Sequence, residues 1–195
     1  MDNLQIFRTD LWATPIWQYY ISDDAIDFNQ VITDVYEIKK TDKGRIKSNY
    51  GGWQSDFVNS QNTELCKLME YIKSNAQTCF QQLKVKKEYG AHFKYWININ
   101  SFEHFNTKHI HGNSIISGCV YLKVPQNSGN LLFHPNMMEH YFYTTYTNCD
   151  TDFSSKETEF TAEEKKVILF PSFLPHSVSP NNSNEDRISI AFNFY

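Results

Sequence analysis

The sequence predicts a mainly β protein in which helices come first and a sandwich or barrel follows. Two observations indicate this class: apolar residues recur at helical spacing before residue 90, and short β-prone runs separated by turn residues follow it. The chain has 195 residues, 41% of them apolar, which suffices for a buried core. No repeat or linker divides it, so we expect one domain over 1–195, with a helical support region over about 1–88 and a β core over about 89–195.

The N-terminal segment predicts one edge strand and one helix. Residues 11–21 are aromatic and β-prone, and Pro15 suits an edge or first strand. Residues 23–40 carry an apolar stripe at helical spacing, with Asp23 and Asp24 as N-terminal caps. We therefore expect an edge strand that leads into a helix.

The second predicted helix has the clearest periodicity in the chain. Residues 65–83 carry an apolar stripe behind Asn62, a favourable cap, and such a stripe is typical of core packing. After it, the predicted strands cover residues 93–100, 115–124, 131–133, 141–146, 167–170 and 188–195. The polar stretch 148–164 is predicted to be a loop at the mouth of the barrel.

Composition excludes several classes of protein. The net charge of −4 and the pI near 6 disfavour nucleic-acid binding, which usually requires a basic face. No apolar run is long enough to span a membrane, and the N-terminus has no signal-peptide pattern, so a cytoplasmic protein is expected. The four cysteines lie far apart, which favours reduced thiols over a disulfide framework.

A His-x-His pair predicts a metal site. In an extended strand His109 and His111 point to the same face, about 6.5–7 Å apart at Cα, so both imidazoles can approach one ion. His176, which follows two prolines in a predicted turn, is the candidate third ligand. Two neighbouring ligands and one distant ligand form the facial arrangement of non-haem iron. Histidines in surface or core positions are the alternative.

A second polar pattern lies in the last predicted strand. Arg187, Ser189 and Asn193 alternate with apolar residues, so this polar face is expected to line the barrel interior. A buried arginine requires an anion, and its planar fork suits a carboxylate. The alternative is a structural salt bridge to a buried glutamate.

Seven motifs carry a family resemblance through their order and spacing. They cover residues 11–17, 51–55, 106–111, 117–122, 128–133, 170–176 and 187–193. Through them the chain resembles the Fe(II)- and 2-oxoglutarate-dependent oxygenases, in particular the prolyl-4-hydroxylase-like branch and the small members of marine bacteria and phages. The resemblance implies a double-stranded β-helix, a cupin-like jelly-roll flanked by two helices, with the metal at its open end.

The resemblance also implies the ligands of the metal and the cosubstrate. His109, His111 and His176 would bind Fe(II), with His111 in the position that is usually an aspartate. The cosubstrate residues that it implies are Arg187 for the remote carboxylate of 2-oxoglutarate, Ser189 and Tyr121 beside it, Asn193 near the metal, and Asn98 or Asn100 at the metal-bound end.

The histidine at position 111 leaves the identity of the metal open. Three neutral imidazoles also suit copper, nickel and zinc, so iron rests on the resemblance. Asn113 is an alternative ligand if the strand continues beyond Gly112, and Glu103 is an alternative carboxylate from the preceding segment.

Three further features have weaker predictions. His134 is expected in a substrate-facing or turn position, and His104 either orients a ligand imidazole or lies in a solvated loop. Residues 53–55 are expected either to form part of a lid over the substrate or to pack as an aromatic cluster.

The function implied by the resemblance is hydroxylation of a C–H bond with O2, coupled to decarboxylation of 2-oxoglutarate to succinate. The substrate is expected to be a small molecule, a peptide or a protein. No nucleic-acid or membrane partner is expected, and the sequence is compatible with a homodimer. A phage-encoded chain would act in the host cytoplasm. The alternatives are a cupin-like three-histidine metalloprotein that acts without 2-oxoglutarate, and a catalytically idle jelly-roll binding module.

Overall fold

The computed structural model describes residues 13–59, 61, 63–146 and 157–195. The strands in this part of the chain are β1 (Trp17–Tyr20), β2 (Asn49–Tyr50), β3 (Trp53–Gln54), β4 (Phe93–Asn100), β5 (Phe105–His109), β6 (Ile116–Lys123), β7 (Leu131–Phe133), β8 (Thr158–Phe160), β9 (Lys166–Pro171), β10 (His176–Val178) and β11 (Arg187–Phe194). The helices are α1 (Phe28–Thr41), α2 (Glu64–Asn75), α3 (Gln77–Leu83) and α4 (Met137–Tyr146).

The strands form two antiparallel sheets, which confirms the mainly β class. One sheet has six strands in the order β1-β9-β6-β11-β4-β3, and the other has five in the order β2-β5-β10-β7-β8. Every strand pair is antiparallel. Strand β1 lies at a sheet edge, where Pro15 just before it removes no ladder hydrogen bond.

The first two predicted helices differ from the structure at their ends. Helix α1 begins at Phe28 because Asp27, not Asp23 or Asp24, accepts the capping hydrogen bond from the Gln30 amide. Ala25 donates to the Ser22 carbonyl instead, so the preceding aspartates lie in a turn.

The predicted helix over 65–83 is interrupted. Thr63 caps α2 through the Cys66 amide, whereas the predicted cap Asn62 lies outside the described residues. The chain then divides into α2 and α3 at Ala76. Just before this point, the Ser74 and Asn75 side chains donate to backbone carbonyls one turn earlier, a pattern that bends helices.

Two predictions in the C-terminal half were wrong. The aromatic run at 141–146 belongs to helix α4, because Asn136 Oδ1 accepts from the Glu139 amide and the Glu139 carboxylate accepts in return from the Asn136 amide. The predicted loop over 148–164 contains strand β8, which pairs with β7. Residues 148–156 of that stretch lie outside the described residues.

The main core lies on one face of the six-stranded sheet. Helices α1, α2 and α3 cover that face with buried side chains such as Val31, Leu65 and Phe80, which pack against the outer residues of β4, β6, β9 and β11. None of the helices in the described ranges is long and apolar enough to cross a membrane. The cysteines that the structure describes, Cys66, Cys79 and Cys119, are free thiols.

The alternation of β11 fixes which residues face the cavity. Ile188, Ile190, Phe192 and Phe194 are fully buried in the helix-covered core. The intervening residues Arg187, Ser189, Ala191 and Asn193 point to the opposite face and line a cavity between the two sheets. The sheet therefore presents an apolar face to the helices and a polar face to the interior, as the sequence predicts.

Candidate metal centre and cavity

Three histidines converge at one end of the cavity. His109 ends β5, His176 begins β10, and these two residues are directly opposite each other in the antiparallel pair. His111 lies just beyond β5. One ring nitrogen from each of the three lies within 4.8 Å of the others, and His109 Nε2 is 3.1 Å from His111 Nε2.

The position of His111 differs from the simple strand picture. Strand β5 ends at His109, and the His111 amide donates to the Ser172 carbonyl at 3.0 Å rather than to a strand partner. The loop that leads into β10 therefore contacts His111 through Ser172 and places His176 at the start of the strand. The predicted convergence is present, although a loop contact rather than continued strand geometry produces it.

Two of the imidazoles are oriented by their own backbone. His109 Nδ1 lies 2.7 Å from the Thr107 carbonyl, and His176 Nδ1 lies 2.9 Å from the Leu174 carbonyl. Because a carbonyl only accepts, each Nδ1 carries the proton and each Nε2 keeps its lone pair. This arrangement is the usual way in which a protein prepares histidine ligands.

The third imidazole is oriented by side chains from the six-stranded sheet. His111 Nδ1 lies 2.5 Å from Asn193 Oδ1 and 3.0 Å from Ser117 Oγ. Ser117 also donates to Asn193 Oδ1 and contacts Ser172 Oγ at 2.7 Å. Asn193 therefore contacts one of the three clustered histidines. The two serines were not predicted, since only the register of β6 with β9 and β11 brings them here.

Burial keeps the cluster uncharged at neutral pH. It lowers the pKa of His111 to about 4, with smaller effects from Asn193 and His109. Burial also lowers the pKa of His176 to about 3, with a smaller contribution in the same direction from the neighbouring His109, and it lowers the pKa of His109. Neutral imidazole is the form that binds metals.

These residues fit a divalent transition metal. With every Nδ1 protonated, the Nε2 lone pairs of His109 and His111 face each other at 3.1 Å with no proton between them. Two nitrogen ligands at a right angle around a metal at about 2.1 Å are themselves about 3 Å apart, so a cation between them removes the repulsion. No carboxylate joins the cluster in the described part of the chain.

The alternative ligands do not reach this site. Glu103 lies in a turn with a φ of 62°, and its amide donates to the Asn181 carbonyl. Asn113 also has a positive φ, of 68°, in an exposed turn. Neither residue lines the cavity.

The cavity behind the histidines has a volume of about 470 Å³, typical of a small-molecule site. Its far end holds Arg187, only 2% exposed. The guanidinium Nη1 donates to the Ser128 and Ser179 carbonyls, and no ion pair to a carboxylate involves it among the described residues. The predicted alternative of a salt bridge to a buried glutamate therefore has no support in the described structure.

Other predicted cosubstrate residues lie beside Arg187. Ser189 pairs in register with Tyr121 on β6 and with Asn98 on β4, and all three line the cavity. Asn100 is buried but does not line it, since its amide donates to Asn106 Oδ1 at 3.4 Å. Of the two asparagines that the sequence leaves open, Asn98 is the one that faces the cavity.

The two other histidines between residues 104 and 134 have partners outside the cavity. His134 Nε2 contacts Ser177 Oγ at 2.8 Å, and its Nδ1 lies 3.6 Å from a Glu157 carboxylate oxygen. His104 Nδ1 accepts from the Ser101 amide. Neither histidine lines the cavity.

The predicted lid segment is divided between two roles. Gln54 and Ser55 line the cavity, whereas the Trp53 indole donates to the Asp42 carbonyl outside it. The polar residues of the segment therefore face the site, and its aromatic residue packs against the rest of the chain.

Comparison with solved structures identifies the fold. A prolyl-4-hydroxylase from Pseudomonas putida matches with a TM-score of 0.63 and 14% identity, covering 92% of this chain and 91% of that one. A viral collagen prolyl hydroxylase from Paramecium Bursaria Chlorella virus-1, solved with 2OG, matches with a TM-score of 0.61 and 13% identity, covering 92% and 94%. The predicted jelly-roll fold is thereby confirmed.

A third solved structure is also similar to this chain. A prolyl hydroxylase from Trichoplax adhaerens, in complex with a hypoxia inducible factor peptide fragment, has a TM-score of 0.64 and 14% identity, covering 93% of this chain and 83% of that one. A search of curated proteins gives no significant match. The model of the family described as "Putative 2OG-Fe(II) oxygenase" matches residues 94–193, just over half of the chain.

Proposed function

The chain belongs to the 2OG-Fe(II) oxygenase family, and we propose that it hydroxylates a C–H bond of a small-molecule or peptide substrate while 2-oxoglutarate is converted to succinate. Fe(II), 2-oxoglutarate and O2 are the metal, cosubstrate and oxidant of this family. One observation carries the proposal: a single cavity has three neutral histidines at one end and, at the other, a buried arginine that pairs with no carboxylate among the described residues.

The metal would be held by His109, His111 and His176 through Nε2. When bound, iron with 2-oxoglutarate and O2 supplies the oxidising power for C–H hydroxylation. The chain keeps the three Nδ1 atoms protonated through Thr107, Asn193 and Leu174. Each ring is thereby fixed in one orientation and one tautomer before a metal arrives.

The remote carboxylate of 2-oxoglutarate would bind at Arg187. Among the described residues this buried guanidinium donates to backbone carbonyls and to no carboxylate, so its charge is uncompensated and suits an anion. Ser189 supplies a hydroxyl two residues along the same face of β11. Burial raises the pKa of Tyr121 well above its usual value, so this phenol stays protonated and can donate to the same carboxylate.

The chain also contributes apolar cavity walls that exclude water from the site. The cavity walls include Trp96, Leu131, Ala191 and Gly118. Apolar walls exclude water from the reacting groups, which strengthens the electrostatic interactions inside the site.

Two alternatives make different predictions about ligands. A cupin-like metalloprotein would bind a metal but would have no use for a buried guanidinium at the far end of the cavity. An idle binding module would bind neither a metal nor 2-oxoglutarate. Arg187, which pairs with no carboxylate in the described part of the chain, disfavours the first alternative. The fixed tautomers of His109 and His176 disfavour the second.

The test is anaerobic titration of the protein with Fe(II) and then with 2-oxoglutarate. We expect one metal per chain, followed by the metal-to-ligand charge-transfer absorption that 2-oxoglutarate produces when it chelates Fe(II), and succinate once air and a substrate are added. His176→Ala, which removes one ligand, should abolish the absorption. Metal binding without any response to 2-oxoglutarate would favour the cupin-like alternative, and no metal binding would favour the idle module.

A further inference from the structure

A row of polar residues crosses the six-stranded sheet on its cavity face. Arg45 forms an antiparallel bridge with Gln54, Gln54 pairs with Asn98, and Asn98 pairs with Ser189. Tyr121 continues the row on the next strand. All five residues line the cavity.

The proposed function uses only one end of this row. Tyr121 and Ser189, beside Arg187, would hold 2-oxoglutarate. Adjacent strands are about 4.8 Å apart, so Arg45 lies three strand spacings, roughly 14 Å, from Ser189. Arg45 and Gln54 therefore lie away from the proposed cosubstrate position, and Asn98, which pairs with Ser189, lies between the two.

The charges in this half of the cavity are all positive. Arg45 and Lys47 line the cavity, and none of the described residues that line it is Asp or Glu. This contrasts with the chain as a whole, which has a net charge of −4. Arg45 pairs with Asp56 at 2.9 Å through one nitrogen, whereas no ion pair involves Lys47 in the part of the chain that the structure describes.

A neutral group in the same half also requires a ligand. Asn98 is 8% exposed, and its buried Oδ1 has no hydrogen-bond partner among the described residues. An orphaned buried acceptor costs free energy unless a bound molecule donates to it. A ligand that displaces solvent from this half of the cavity is therefore favoured when it carries an N–H or O–H group that donates to Asn98.

The ligand set at the metal adds to the excess of positive charge. Three neutral histidines leave the charge of a divalent ion uncompensated, and Arg187 adds one more positive charge. A dianionic 2-oxoglutarate cancels two of these three charges. One positive charge then remains, together with that of Lys47, whereas Asp56 already compensates Arg45.

We propose that the half of the cavity lined by Arg45, Lys47, Gln54 and Asn98 binds the substrate through a carboxylate, and that the substrate also donates a hydrogen bond to Asn98. This inference rests on the proposed function, which assigns the other half of the cavity to 2-oxoglutarate. The substrate class is a carboxylic acid with a nearby N–H or O–H, either free or within an acidic peptide.

The experiment measures binding to protein already saturated with Mn(II) and 2-oxoglutarate, so that no turnover occurs. The probes are N-acetyl amino acids, each matched with its uncharged carboxamide, and end-blocked peptides with one internal Glu, each matched with its Gln counterpart. Calorimetry and thermal shift give the affinities. The first pairs report a free acid, and the second pairs report an acidic peptide.

We expect acids to bind and their matched amides not to bind. Lys47→Glu and Arg45→Gln should each weaken the best acid about tenfold, because each removes a charge-assisted contact. Lys43→Glu makes the same charge change at an exposed position that does not line the cavity, and it should leave the affinity unchanged. Asn98→Leu removes the hydrogen-bond acceptor and should weaken binding of the best acid, while its amide should still not bind.

Three results would overturn the inference: amides that bind as well as acids, acids that bind Lys47→Glu as well as the unmodified chain, or no acid in either set that binds. Failure of the first step, saturation with Mn(II) and 2-oxoglutarate, would instead contradict the proposed function. The two failures are therefore distinguishable.

Discussion

Asn193 Oδ1 lies 2.5 Å from His111 Nδ1, a contact between residues 82 positions apart in sequence. The amide oxygen fixes the tautomer of the one histidine whose ring is not held by its own backbone. It thereby takes the role that the Thr107 and Leu174 carbonyls have for the other two imidazoles.

We therefore expect Asn193→Ala to weaken metal binding. Loss of a group that orients a histidine ligand typically costs 10- to 100-fold in metal affinity, and we expect a loss of about tenfold because Ser117 still contacts His111 Nδ1. Titration with Mn(II) or Co(II) measures the change. Asn182→Ala, at an exposed position, is the matched control. Equal affinities of the two variants would show that Asn193 does not prepare the ligand.

Arg187 provides the second prediction. Arg187→Gln should weaken 2-oxoglutarate binding by roughly 100-fold, because truncating one partner of a buried charge pair costs about 2–5 kcal/mol. Metal affinity should change little. The matched ligand is 2-oxopentanoate, which lacks the remote carboxylate and should bind the variant and the unmodified chain alike. Equal losses of metal affinity and 2-oxoglutarate affinity in this variant would indicate that Arg187 has a structural role.

The sequence predicted the parts of the site that follow a local period. The alternation of Arg187, Ser189 and Asn193 correctly places them on one face, and His109 and His111 converge with His176. The alternation in β11 depends on strand geometry, which a short stretch of chain determines. The convergence of the histidines depends instead on the contact between the His111 amide and the Ser172 carbonyl in the loop before β10.

The parts that the sequence did not reveal depend on register between distant strands. Ser117 reaches His111, and Arg45 joins the row of Asn98, only because of pairings that no local pattern encodes. Helix α4 has a local signal, the reciprocal cap of Asn136 and Glu139, but its aromatic residues favour a strand. Its misassignment shows that capping outweighed β propensity there.

Gly118 provides a prediction about stability. A Cβ at this position of β6 would lie 2.5 Å from the Ile168 carbonyl oxygen and 2.6 Å from the ring of Phe192. Both neighbours are fully buried, so Gly118→Ala should destabilise the protein by roughly 1–3 kcal/mol. Gly112→Ala is the control, since nothing lies within 4 Å of its Cβ position. Urea unfolding measures both, and similar midpoints would contradict the close packing behind the cavity.

The last prediction concerns the pH dependence of the metal-free protein. Burial lowers the pKa of His176 to about 3, and that of an unfolded histidine is about 6.5. Between these values the unfolded chain binds a proton at His176 that the folded protein does not. Stability rises with pH wherever the unfolded state binds more protons, so it is complete above pH 6.5 and falls as the pH decreases towards 3.

At pH 4.5 the loss from His176 alone should be roughly 2–3 kcal/mol relative to pH 7. Urea unfolding at both pH values, with chelator present, measures it for the unmodified chain and for His176→Gln. The carboxylates titrate in both proteins, so the difference between the two losses isolates His176. His92→Gln changes an exposed histidine and should lose as much stability as the unmodified chain. If His176→Gln also lost as much, burial of the neutral imidazole would not be what makes the metal-free fold sensitive to acid.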